Sequence, residues 1–371
     1  MTISARPRRL YLVGLQFAGF DLDTLCGRIA GTFDGLTLGA GTGQFPHREI
    51  AKNPARWDDI KQTLAKHGLA TDDLRVACHP TMMGACAERI HPGYAPFLGD
   101  IYVANSDGTP NEAEIHKRSK AEWEEQLCPA FKIAGLKIVQ TFFGSRTAVD
   151  RTAREFPRPS AAYLDEKEGR EVEEVHGLCD TAVDFGVERV CIESHIGESH
   201  LDCYSQASYL RKVNHPAYFI LHDGSHVSKL GGDAAYGIDY LTQNAPGKIG
   251  DWHIKAGGVY PHGGAIIYSH HPCGSPNRAG NYEAAHLHIG RLVRETAAIN
   301  RHEVFESTPA FPNGHVISVA SLEHEDDRMQ PLDVKLQDLA VNAVLVSGRA
   351  CRENLLFRAG AHHQEAMAAG K

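Results

Sequence analysis

Short runs of β-branched and aliphatic residues recur along the chain, and longer stretches with helical spacing of apolar residues separate most of them. The runs occupy positions 9–16, 35–40, 74–79, 137–143, 189–193, 217–222, 249–254 and 303–306. The helical patterns occupy 56–67, 121–134, 171–185, 204–213, 235–244 and 282–300. In the third of these, Val172, Val175, Leu178, Ala182 and Phe185 fall roughly on one face, the signature of a helix packed on a sheet. Parallel strands need a crossover of about a dozen residues or more, commonly a helix, so the alternation predicts a parallel sheet. Eight units suit an α/β fold of the (β/α)8 TIM-barrel type; a doubly wound open sheet has the same rhythm.

With 371 residues, 42% of them hydrophobic and 23% charged, the chain can bury a core without staples. It reads as a single domain over 1–371 with insertions at about 80–120 and 257–281 and extra C-terminal helices at 332–347 and 351–368. If the strands form a barrel, the two insertions and the stretch 308–328 are long loops on its C-terminal face, where barrel active sites are built. The formal net charge of −8 opposes a nucleic-acid footprint, which needs clustered Lys and Arg. Nine scattered cysteines fit reduced thiols better than a disulfide framework. Gly14, Gln16 and Asp21 break the first apolar run, so it reads as a strand and not as a signal segment. No stretch approaches the roughly 18 apolar residues of a membrane span. The expectation is a cytoplasmic protein without nucleic-acid or membrane partners.

Chemistry concentrates at four consecutive strand ends. CIESH places Glu193 at the end of the fifth run, and LHDGSH places Asp223 and His226 around a glycine turn after the sixth. DWHIKAGG carries His253 and Lys255 on the seventh, and FESTPAF carries Glu306 on the eighth. In a barrel these would converge on one cavity. Three carboxylates with one or two imidazoles make an oxygen-rich set suited to Mn2+, Mg2+ or Co2+, with Zn2+ also open.

The order Glu, Asp-x-x-His, His-x-Lys, Glu resembles the xylose isomerase-like TIM-barrel family. That family includes sugar-phosphate isomerases and epimerases, ketose 3-epimerases, hydroxypyruvate isomerase, inosose dehydratase and, more distantly, endonuclease IV. The resemblance is strongest over 171–311. IESH is similar to the family's strand-end Glu segment, and HIKAGG to its His-x-Lys-Asp-Gly stretch, with Ala256 where an Asp is frequent. It implies ligation of one divalent metal, Mn2+ first, by Glu193, Asp223, His253 and Glu306. It also places His226 toward substrate. A His-rich insertion stands where the family has a short Arg-x-x-Pro-Gly-x-Gly loop, and Arg278 is the residue nearest to that arginine.

The expected reaction is isomerisation or epimerisation of a sugar by proton abstraction next to a carbonyl, through an enediolate, with Glu193 and Glu306 as acid–base pair. His226, Lys255, His195, His79 and Arg278 are candidate substrate-binding residues. Phe17, Phe142, Trp252 and Phe311 are candidate apolar walls. The alternative is a lyase of the same fold, either an inosose-type dehydratase or the catalytic subunit of a 3-keto-glycoside or C-glycoside deglycosidase. A non-catalytic sugar-binding barrel is the third reading. A homo-oligomer is expected by fold analogy, and the long loops leave room for an accessory subunit.

Overall fold

Parallel pairing closes the sheet on itself. In the computed structural model, the barrel order is β1 (Arg9–Val13), β2 (Gly35–Gly39), β3 (Arg75–Ala77), β4 (Ile138–Thr141), β5 (Arg189–Glu193), β6 (Tyr218–Asp223), β7 (Ile249–Ile254) and then β10 (Val319–Leu322), which returns to β1. The structure describes residues 9–78, 98–141, 161–193, 202–229, 232–262, 265–271, 282–302 and 319–322, with single helical positions at 332, 336 and 339. Two further strands, β8 (Ala256–His262) and β9 (Ala265–His271), form a separate antiparallel hairpin directly after β7.

Helices cover the outside. They are α1 (Leu22–Ile29), α2 (His47–Lys52), α3 (Ala55–Lys66), α4 (Glu112–Glu122), α5 (Cys128–Ala134), α6 (Ala161–Asp184), α7 (Cys203–Val213), α8 (Gly224–Lys229), α9 (Ala234–Asn244) and α10 (Tyr282–His302). Caps set several starts: Asp21, Asn111, Asp202 and Asp233 each accept hydrogen bonds from backbone N–H groups of the first turn, satisfying donors with no intrahelical partner. The main apolar cluster lies between strands and helices and includes Leu12, Leu36, Val76, Val139, Ile192, Ile220 and Trp252.

Three sequence expectations change here. The eighth barrel strand is 319–322 and not 303–306: it pairs with β1 through Arg9↔Val319 and Leu12↔Leu322, and with β7 through Ser321↔His253. A barrel strand is covered on both faces, which suits the nearly apolar VASL better than EVFE with its acid at each end. The insertion at 80–120 is not loop throughout, because α4 begins at Glu112 and runs through a π turn, Trp123–Leu127, into α5. Only Ile115 among its apolar side chains is buried before Trp123, so periodicity gave no signal there. The insertion at 257–281 likewise holds the β8–β9 hairpin.

Alternation along each strand decides which side chains enter the barrel. Trp252 and His222 face outward to α10, where Trp252 Nε1 donates to Glu295 Oε1 at 2.7 Å and His222 Nε2 lies 3.3 Å from the same oxygen. Trp252 and Phe17 are therefore core and not cavity wall. Phe142 and Phe311 lie outside the described residues. No described helix is long and apolar enough to cross a membrane.

Candidate functional site

The interior positions at the ends of β5, β6 and β7 bring Glu193, Asp223 and His253 together. One ligand atom from each lies within 4.8 Å of the others, and all three side chains are buried. Asp223 stands opposite His253 in the β6–β7 register, and Glu193 opposite Leu221, so the stagger of the barrel brings the three ends to a similar height. His253 Nδ1 is 3.5 Å from Glu193 Oε1.

Two basic residues close around the carboxylates. Lys255 Nζ lies 3.0 Å from Asp223 Oδ2 and 3.9 Å from Glu193 Oε1. His226, buried in α8, places Nε2 at 3.5 Å from Glu193 Oε1 and 3.6 Å from Asp223 Oδ2. His226 and Lys255, expected as substrate-binding groups, thus sit against the carboxylates themselves. Burial pushes the Glu193 carboxyl up to about 7; the nearby His253 and Lys255 pull the other way without cancelling it. A carboxyl that titrates near neutrality can both take and return a proton.

A second row of polar residues lies behind His253. His253 Nε2 is 3.0 Å from Gln140 Oε1, and Gln140 Nε2 donates to Asp251 Oδ2 at 2.7 Å. Arg75 Nε donates to the same Asp251 oxygen at 2.8 Å. Asp251 as a carboxylate can only accept, so the Gln140 amide must turn its N–H2 to Asp251 and its carbonyl to His253. The imidazole proton is then held on Nε2, and Nδ1 presents its lone pair to the Glu193 side. Sequence reading missed Gln140, Asp251 and Arg75. Their signal is a polar residue within an otherwise apolar strand run, as in KIVQTFF, IGDWHI and LRVACH.

The turn between Asp223 and His226 needs a glycine for space. A Cβ on Gly224 would stand 2.5 Å from Glu295 Oε2, and Glu295 is held by Trp252. Gly224→Ala is expected to lower stability by about 1–3 kcal/mol through this overlap. Chemical denaturation would measure it, and an unchanged midpoint would mean that Glu295 moves aside freely.

His195, His79, Arg278 and Glu306 lie outside the described residues. The donor set itself fits a divalent cation: two carboxylates and one unprotonated imidazole nitrogen, with ligand atoms within 4.8 Å of one another. A cation would add to the positive charge that Lys255 already places beside the two buried carboxylates.

Sequence comparison gives no match to a family model or to a curated protein. Solved structures do match in shape. The IOLI protein, whose structure carries a bound zinc atom, aligns at a TM-score of 0.52 with 16% identity, covering 92% of this chain and 98% of that one. An L-ribulose 3-epimerase aligns at 0.51 with 13% identity and covers 98% of both chains. The fold is that of the xylose isomerase-like TIM barrels. The probable 3-DHS dehydratase AsbF from Bacillus anthracis aligns at 0.51 with 15% identity, covering 92% of this chain and all of that one.

Proposed function

We propose that this chain is a divalent-metal-dependent isomerase or epimerase of a small sugar or sugar derivative, in one barrel domain. The observation that carries the reading is the buried convergence of Glu193, Asp223 and His253 at the C-terminal ends of three adjacent barrel strands. These three residues would hold the metal, with Mn2+ the preferred ion, and Mg2+, Co2+ or Zn2+ as substitutes. A bound divalent cation would supply Lewis-acid polarisation of a substrate carbonyl.

Glu193 then acts as base toward the carbon next to that carbonyl. Its elevated pKa, set by burial, matches removal of a proton near neutral pH. Lys255 and His226 steady the carboxylates and donate hydrogen bonds to substrate oxygens. Gln140 holds the His253 ring in one tautomer. Return of the proton to the same carbon gives epimerisation, and return to the neighbouring carbon gives isomerisation.

The partner acid belongs to the eighth barrel strand in this reading. Ser321 Oγ lies 3.4 Å from Thr37 Oγ1 across the barrel interior, and Glu323 is two positions further along the chain. Glu323, like Glu306, lies outside the described residues. Glu306, the sequence-based candidate, precedes this strand, so Glu306→Gln and Glu323→Gln are to be compared side by side. The variant that abolishes proton exchange identifies the acid.

Incubation of Mn2+-loaded protein in D2O with ketoses such as L-ribulose, and in parallel with 3-keto glycosides, tests the function. Deuterium appearing at a sugar carbon of an otherwise intact product supports the proposal. Release of water or of an aglycone replaces it with the lyase reading, which the dehydratase of the same fold makes concrete. Absence of exchange with every sugar would leave a binding protein.

Glu193 also sets a pH dependence. A group whose pKa is raised to about 7 is protonated below that pH and must lose its proton to ligate. Apparent Mn2+ affinity is therefore expected to fall by about tenfold per pH unit below 7, and to level off above it. Calorimetry in two buffers of different ionisation enthalpy would read the released proton; no release at pH 6 would refute the linkage.

A further inference from the structure

Glu295, in α10, is 5% exposed, on the outside of the barrel wall that carries two of the clustered residues. A buried carboxyl is costly unless its oxygens are used, and an aliphatic side chain would fill the same space without that cost. The oxygens of Glu295 meet three residues. Oε1 accepts the Trp252 Nε1–H at 2.7 Å and lies 3.3 Å from His222 Nε2. Oε2 lies so close to Gly224 that a Cβ there would stand 2.5 Å from it.

All three neighbours flank a proposed metal ligand. His222 precedes and Gly224 follows Asp223, and Trp252 precedes His253. In the β6–β7 register His222 stands opposite Trp252, and Asp223 opposite His253. Successive residues of a strand point to opposite faces. The outward pair that Glu295 contacts therefore lies directly behind the inward pair of ligands. Fixing the outward side chains fixes the roll of each strand about its axis, and that roll sets where the inward atoms go.

The ladder alone does not set this placement. Just before the two pairs the register shifts: Ile220 faces Ile249 but Leu221 faces Asp251, which leaves Gly250 as an extra residue of β7. A bulge of this kind disrupts the ladder locally and re-aims the side chains beyond it. A tie spanning both strands just past the bulge holds them in one relative position.

We infer that Glu295 is a positioning residue for the pair Asp223 and His253. Its carboxyl ties the ends of β6 and β7 together from outside the barrel, and so sets the spacing at which the two side chains present their ligand atoms inside it. The inference rests on the reading of these two residues as metal ligands.

Calorimetry of the full chain with Mn2+ alone tests it, on wild type, Glu295→Gln, Glu295→Met and Leu292→Ala. The Gln variant keeps an acceptor for the Trp252 N–H; the Met variant keeps the approximate volume and removes the acceptor. Leu292 is a buried apolar residue of the same helix, so its truncation lowers stability without touching the tie. Glu295→Met should bind Mn2+ about tenfold more weakly, with Glu295→Gln and Leu292→Ala close to wild type. Trp252→Phe removes the donor of the same bond, so its loss and that of Glu295→Met should not add in the double variant. Trp252→Phe also stands in if Glu295→Met does not fold.

The metal-free chain gives a second reading, by nitrogen-15 NMR of the His253 ring, whose Nε2 is 3.0 Å from Gln140 Oε1. The ring resonances should move in Glu295→Met and stay in place in Leu292→Ala. If wild type binds no Mn2+, the ligand reading fails, and these resonances alone decide whether Glu295 positions His253. Unmoved resonances in folded Glu295→Met, undiminished affinity there, or an equal loss in Leu292→Ala overturns the inference.

Discussion

Glu193→Gln is expected to abolish proton exchange between substrate and solvent, lowering kcat by about a hundred- to ten-thousandfold. The amide keeps the shape of the carboxyl but cannot accept a proton from carbon. Glu193 is 3% exposed and its carboxyl is held near neutrality by burial, so no solvent group replaces it as base. The variant should fold, because the amide fills the same volume and Lys255 keeps its partner Asp223 at 3.0 Å. Deuterium incorporation under single-turnover conditions measures the effect separately from metal content. Exchange at the normal rate in metal-loaded Glu193→Gln would eliminate Glu193 as the base.

The second large effect concerns the imidazole and what stands behind it. His253→Ala deletes one of three clustered ligand atoms and should leave the purified protein with little bound Mn2+ by elemental analysis. Gln140→Leu keeps all three ligands but releases the Nε2–H of His253 from its 3.0 Å partner. The ring then loses the contact that selects its tautomer, and metal affinity should fall by about 10–100-fold. A chelator competition assay orders the variants: wild type, Gln140→Leu, then His253→Ala. Full metal retention in His253→Ala removes that residue from the ligand set, and unchanged affinity in Gln140→Leu reduces Gln140 to a packing role. Melting curves of both metal-free variants separate these effects from unfolding.

How much of the site was readable along the chain depended on where each group lies. Glu193, Asp223, His226, His253 and Lys255 stand at the C-terminal ends of apolar runs, where polar residues contrast with their neighbours, and the barrel gathers all five. Gln140 and Asp251 sit within strands, far apart in sequence, and only closure of the sheet sets them 2.7 Å apart. Glu295 was passed over because one acid in a helical pattern reads as part of a solvent face, and only the packing of α10 brings it to Trp252. The eighth strand was misplaced for a related reason. A four-residue run gives periodicity almost nothing to act on, and β10 is specified by its two neighbours, β1 and β7, more than by its own residues.

Local patterning alone determined that this chain alternates strand and helix, that the strands run parallel, and that acids and imidazoles cluster at their later ends. Such features depend on side-chain spacing within a dozen residues, which the one-dimensional order already contains. Tertiary structure decided which strand closes the barrel, which face each side chain takes, and which distant polar groups meet. It brought Arg75, Gln140, Asp251 and His253 into one hydrogen-bonded row, and it joined Glu295 to Trp252 behind Asp223 and His253. Those are consequences of closure: in a sealed sheet every inward residue faces the others, and buried polar groups must find their partners there.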